Sequence, residues 1–560
     1  MDQLTLKWAL PGVAALGACL LAIAAALPPA SRDAPQHFTD IAPRSHIAYR
    51  TLNDYRDRKY FVATMAGGVA VLDYDHDGLM DLFFTNGARL PENVKTGPEY
   101  YNLLLRNRGD GTFEDVTRRA GLEGATLGYC LGVAAADYDN DGRTDLFLAN
   151  AGRDALYHAN ADGTFTDVTR ESGLDTKPPN TLSVDAAWFD FDNDGLLDLV
   201  VSEYTYWSPQ LDIRCLGPGA TGDVYCHPKR YPSVPNRLYH NLGHGRFEDV
   251  TERSGFSQSL GKGMGIAIAD FNRDGLMDVF VSNDTEHNFL YLNRGAGKFE
   301  EVGLPYGAAY NEDGTTVSGM GADARDYDND GFPDLFYSDL NMQLFGLLHN
   351  EGGRAFRDAS VASSVARLSR HFSGWSNAFV DFDNDGWKDI FSANGDVDYI
   401  GDNACQHNTM WRNVGGRAFE DVSARLGPGF LVLGHHKGSA VVDLNNDGAL
   451  DLVVTGLNEA PRILINSGNG NHWLLLDLEG VRSNRDAIGA TVKLTTATGR
   501  ALYNHVSPAA GLLSSSDRRV HFGLGAESAI RMIEIRWPSG VVQTISAPHA
   551  DQILHVREPG

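Results

Sequence analysis

The stretch "AAADYDNDGRTDLFLAN", residues 134–150, sets four aspartates, Asp137, Asp139, Asp141 and Asp145, into nine residues around Gly142. Carboxylates this crowded repel one another; a pair ~4 Å apart costs ~4 kcal/mol at an effective dielectric of about 20. A D-x-[DN]-x-D-G-x-x-D loop offers hard oxygen donors at alternate positions, and its glycine permits the sharp turn. Calcium takes about six to eight oxygens at ~2.3–2.6 Å, which four carboxylates, the Arg143 carbonyl and water can supply. A turn held by its own Asx hydrogen bonds would explain one such loop. It would not explain the rest of the chain.

The motif recurs seven times, beginning at residues 73, 137, 190, 270, 326, 381 and 443, with spacings of 53 to 80 residues. Its ligand positions are Asp73, Asp75, Asp77 and Asp81; Asp137, Asp139, Asp141 and Asp145; Asp190, Asp192, Asp194 and Asp198; and Asp270, Asn272, Asp274 and Asp278. They continue as Asp326, Asp328, Asp330 and Asp334; Asp381, Asp383, Asp385 and Asp389; and Asp443, Asn445, Asp447 and Asp451. By formal charge alone, the loops with Asn272 and Asn445 should bind more weakly. Magnesium fits less well, because it keeps its waters. An EF-hand sensor needs a longer loop between helices that move. Short apolar runs such as "GVAAAD" and "DLFLAN" flank these loops and read as strands. The sequence predicts up to seven structural calcium ions.

Each acidic loop is followed by an Asn/Gly-rich turn, as in "NRGDGTFEDVT" (107–117) and "NVGGRAFEDVS" (413–423), which reads as a hairpin. Each unit is then strand A, acidic loop, strand B, connection, strand C, hairpin and strand D. Seven such units predict an all-β fold, a seven-bladed β-propeller over residues 37–470. "HFTDIAP" (37–43) copies strand D with no blade before it, so residues 37–42 are expected to complete the last blade. From residue 471 the repeat stops. Strand candidates such as "GATVKLTT" predict a small sandwich-like β-domain over 471–560.

Residues 1–36 stand apart. An apolar run from Trp8 to Leu27 follows Lys7, with small residues at Ala22, Ala24 and Ala26. It reads as a signal peptide or an N-terminal membrane anchor plus linker, so the chain is expected to be exported to the bacterial periplasm, the cell surface or the medium. In an oxidising compartment, Cys215 and Cys226 in a Gly/Pro-rich loop are expected to form a disulfide. A net charge of −26 argues against nucleic acid as a partner. The sequence does not fix an oligomeric state.

These loops resemble FG-GAP/VCBS repeats, also seen in integrin α-subunit propellers. "SNRDAIGATVKL" (483–494), "HFGLG" (521–525) and "IRWPSGVVQ" (535–543) resemble the ASPIC/UnbV domain. The combination resembles the CRTAC1-like family of exported proteins across nearly the whole mature chain. The chain departs from the family pattern just before HFGLG, where it reads "GLLSSSDRRV" (511–520).

Blades one, three and six carry long strand B to strand C connections, expected on the face opposite the acidic loops. The blade-three insertion holds Tyr204, Tyr206 and Trp207, read either as exposed ligand contacts or as a lid packed on neighbouring blades. Strand D to strand A links on that face carry Lys262, Arg370, His371, His435, His436 and Lys437. They form either a cationic funnel for an anionic ligand or pairs with nearby carboxylates. The chain lacks G-x-S-x-G, H-E-x-x-H, C-x-x-C and glycine-rich phosphate-loop motifs. The expected function is a binding or adhesion module for a glycan or protein. A carbohydrate-active enzyme, a polysaccharide lyase or hydrolase using the insertion face, is the alternative.

Overall fold

The computed structural model describes residues 36–217, 222–397 and 404–560. The leader read from the sequence therefore lies outside the described residues, apart from Gln36. Among the described residues no helix is long and apolar enough to cross a membrane.

Every acidic loop is the corner between two antiparallel strands. In blade two the strands are Tyr129–Ala136, Asp145–Ala151, Ala155–Ala159 and Phe165–Asp167, paired in that order. The first is apolar throughout because it is buried on both faces. Equivalent four-stranded units start at Val69, Thr181, Gly263, Ala322, Gly374 and His436. Their inner strands pack side by side in chain order, and His436–Val442 packs back onto Val69–Leu72. The ring is closed. Its seventh outer strand is Phe38–Asp40, paired antiparallel with Arg462–Asn466 in the register Phe38↔Asn466 and Asp40↔Leu464.

Apolar side chains fill the space between neighbouring blades. Phe83, Leu104, Leu146 and Tyr157 cluster between blades one and two, and Phe336, Phe379, Ile390 and Trp411 between blades five and six. Between blades two and three the cluster continues outward: Tyr138 and Trp188 share it with Leu476, Phe522, Ile533 and Trp537 of the C-terminal region.

That region is built from two sheets, one of Val520–Gly525, His472–Glu479 and Ile553–Arg557, the other of Ala501–His505, Thr491–Thr496, Ile530–Arg536 and Val542–Ser546. It lies over the acidic-loop face. The Arg485 amide donates to Asn140 Oδ1 at 2.7 Å, Arg500 Nη1 to the Asp385 carbonyl at 2.8 Å and Arg519 Nη2 to the Asp443 carbonyl at 2.9 Å.

Between these sheets the chain enters the ring's axis. Ser514–Ser515 pair in parallel with Val69–Ala70 of blade one. The Val133 amide of blade two donates to the Leu513 carbonyl at 3.3 Å, and the Gly511 and Ala322 backbones exchange hydrogen bonds in blade five. Ser376 Oγ of blade six accepts from the Leu512 amide at 3.1 Å, and Ser516 Oγ accepts from the Val441 amide of blade seven at 3.1 Å. Glycines on the inner strands make room for this plug. A Cβ on Gly265 would lie 2.5 Å from the Gly511 carbonyl oxygen, and one on Gly68 would lie 2.6 Å from that of Leu513. The segment that departs from the family pattern is thus the one that fills the channel.

Candidate metal centres

In each loop the backbone, not the side chains alone, sets the carboxylates. Asp137 accepts from the amides of Asp141 at 3.0 Å and Gly142 at 2.7 Å. Asp145 accepts from Tyr138 at 3.3 Å and, across to strand C, from Ala159 at 2.8 Å. The same bonds recur at Asp190 and Asp198, and at Asp443 and Asp451. Two roles went unread in the sequence. The fourth loop position is left-handed, and where it is asparagine its amide reaches the next loop: Asn140 donates to the Gly195 carbonyl, Asn193 to Gly275, Asn329 to Gly386, Asn384 to Gly448 and Asn446 to Gly78. The hairpin asparagine reaches the preceding blade instead, as Asn241 does to the Tyr138 carbonyl at 2.9 Å. In blade two Ala159, not Asn160, takes that register position, so this staple is missing there.

Burial dominates the electrostatics of these loops. It pushes the Asp137 and Asp190 carboxyls up to about 8, with neighbouring carboxylates adding to the shift, and Asp145 up to about 7 against its bond with His158. Asp81 and Asp326 are likewise raised to about 8, again chiefly by burial. A bound cation would favour the ionised form of these groups. Candidate metal-holding groups include Asp73, Asp75 and Asp81 in loop one and Asp137, Asp139 and Asp141 in loop two.

Comparison with known proteins agrees with this geometry. The family model of the FG-GAP-like repeat matches residues 73–148, 137–201, 222–281, 270–337, 326–392 and 381–454. The chain belongs to the FG-GAP repeat family. The ASPIC and UnbV model matches residues 480–560. Cartilage acidic protein 1 of Homo sapiens is 25% identical over 517 residues, covering 88% of this chain and 72% of that protein. Its Xenopus tropicalis counterpart is 26% identical over 519 residues, covering 88% and 73%. Among solved structures, an Agrocybe aegerita lectin aligns with a TM-score of 0.39 at 14% identity, over 71% of this chain and 87% of its own. An exotype rhamnogalacturonan lyase aligns with a TM-score of 0.32 at 11% identity, over 91% of each chain. Likenesses this distant say nothing about a ligand.

On the face away from the FG-GAP loops, the structure bears on the two readings left open for each residue. Tyr204 is buried and donates to Asp284 Oδ2 at 2.6 Å; Trp207 is buried with Nε1 donating to Asp212 Oδ1 at 2.7 Å. Both pack with Phe61 and Tyr231, because residues 61–64 fold as a short turn under the insertion. The insertion is a packed lid, clasped by the Cys215–Cys226 disulfide with a Cα–Cα distance of 5.3 Å. Tyr206 alone of the three aromatics is exposed. Of the basic residues, Lys262 follows the carboxylate-pairing reading. Lys262 is buried against Glu286 Oε1 at 3.0 Å and Ser233 Oγ at 3.1 Å. His436 and Lys437 are buried; burial holds the His436 imidazole down to about 4, and the Lys437 Nζ lies 3.2 Å from the Trp375 ring centroid. His435 sits 3.8 Å from Glu459. Arg370 and His371 are exposed.

Proposed function

We propose that the FG-GAP loops hold structural calcium, up to seven ions, and that the chain is an exported module binding a glycan or protein through the face opposite them. The donor set supports calcium: carboxylate oxygens dominate it, preset by backbone amides, with a histidine beside loops two, three and five and with Asp75 Oδ1 buried and without a hydrogen-bond partner. Calcium there supplies the positive charge that lets buried carboxyls ionise. Residues 37–470 act as the propeller and 471–560 as the domain that caps it.

The observation that carries the binding role is the inequality of the two faces. The loop side is covered by the C-terminal sheets, whereas the other side presents Tyr206, Leu211 and Leu216 on the disulfide-clasped insertion, all exposed. An aromatic and two aliphatic side chains on a disulfide-clasped loop suit contact with a sugar ring or a protein. The test is a glycan array and a pull-down with the mature chain in calcium, repeated with Tyr206→Ala and Leu216→Asp. Loss of capture at an unchanged melting temperature supports the reading. Full capture by both variants would place the binding site elsewhere.

A further inference from the structure

The seven loops differ in one register position, the strand C residue just before the one whose amide bonds the last loop aspartate. In blade one it is Arg106, whose Nε contacts Asp75 and whose Nη2 lies 3.0 Å from Asp77. In blades two, three and five it is His158, His240 and His349, whose Nδ1 lies 3.3, 3.0 and 3.2 Å from the last loop aspartates Asp145, Asp198 and Asp334, and 3.4, 4.0 and 3.3 Å from the third-position aspartates Asp139, Asp192 and Asp328. In blade six it is Arg412, at the same register position, whose Nη2 lies 2.9 Å from Glu420 Oε1 on the neighbouring outer strand. In blades four and seven it is Leu292 and Ile465. Those two are the loops whose third position is asparagine. There Asn272 Nδ2 donates to Asp274, and Asn445 Nδ2 to Asp447, each at 2.9 Å.

We infer that this strand C residue is a built-in counter-charge matched to the third loop position, and that it ranks the loops for calcium. A basic side chain accompanies the fourth carboxylate; where the chain supplies none, an amide takes that carboxylate's place. The four carboxylates of loop one less the Arg106 guanidinium leave the same net charge as the three carboxylates of loop seven. In loop one the guanidinium already occupies Asp75 and Asp77, so calcium must displace it. Loop four carries Arg273, stacked on Phe332, and Arg519 bonds the Asp443 carbonyl of loop seven, but among the described residues no basic side chain forms an ion pair with the carboxylates of either loop, so calcium has no cation to displace from them. This reverses the order that formal charge alone implies. It rests on the calcium reading for the ranking, though not for the pairing.

Two substitution cycles in the full chain test it, with melting in chelator and calorimetric calcium titration as readouts. Arg106→Leu should lower the chelator melting temperature and raise calcium affinity at one site about fivefold, the size of one half-exposed ion pair. Adding Asp75→Asn should restore most of the melting temperature. Asn272→Asp should destabilise in chelator, and Leu292→Arg added to it should recover stability. Additive effects in both cycles would overturn the pairing, whether or not calcium binds. Coupled melting effects without calcium uptake by the unaltered chain would instead remove the calcium reading and leave the pairing standing. Calcium uptake with no affinity change in Arg106→Leu would overturn the ranking.

Discussion

The Leu513 carbonyl accepts a hydrogen bond from the Val133 amide at 3.3 Å, joining the C-terminal segment to the inner strand of blade two inside the ring. The propeller's axis is therefore filled by its own chain. Backbone groups of the inner strands that would face an open channel find partners on residues 511–516 instead. The inner strands of the ring and the C-terminal region thus share backbone hydrogen bonds.

Substituting an axial glycine should be costly. Gly265→Val puts a side chain where a Cβ already lies 2.5 Å from the Gly511 oxygen and 2.6 Å from the Ala322 nitrogen, both backbone atoms. A loss of about 2–4 kcal/mol is expected in chemical denaturation, the range for overpacking and lost buried hydrogen bonds. A change under about 0.5 kcal/mol, within the scatter of surface substitutions, would mean the plug can withdraw freely.

The lid of blade three should depend on its buried indole. Trp207→Ala removes a ring packed with Phe61, Tyr204 and Tyr231 and leaves Asp212 without that donor. A loss of about 3–5 kcal/mol is expected where the lid melts with the ring. Limited proteolysis should cut the insertion first. Protection equal to the unaltered chain would show that the indole does not hold the lid.

His521 should contribute to acid lability. Buried with its ring 3.1 Å from the Gly448 carbonyl, it is held down to about 3, chiefly by desolvation. The unfolded chain takes up that proton near pH 6.5 and the folded one does not, so this share of stability is full above about 6.5 and lost as pH falls toward 3. His521→Gln should flatten the decline in melting temperature between pH 6.5 and 4.5. An equally steep decline in the variant would assign the acid response to other groups.

The carboxylate crowding in "DYDNDGRTD" made the loops and their strands legible, and "HFTDIAP" announced the closing strand. What stayed hidden depended on partners far along the chain. Gly68, Gly265 and Gly438 read as ordinary strand glycines until the plug that they admit is seen. For Lys262 and Lys437 the sequence left a cationic funnel and carboxylate pairs both open, because nothing local announces Glu286 or the Trp375 ring. The loop asparagines Asn140, Asn193, Asn329, Asn384 and Asn446 were legible in principle, since asparagine tolerates the left-handed turn their position needs. Their second role, bonding to the next loop, is visible only in the closed ring.

The central claim is that bound calcium holds the loop corners and through them the ring. Its most direct test is the melting temperature of the full chain stripped by chelator, with metal removal verified, then titrated separately with calcium and with magnesium. A large rise with calcium, saturating and adding ~2.7 kcal/mol for each independent site at about 100 times its Kd, with little change in magnesium, is the predicted result. Superimposable melting curves for the stripped and calcium-loaded chain would contradict it.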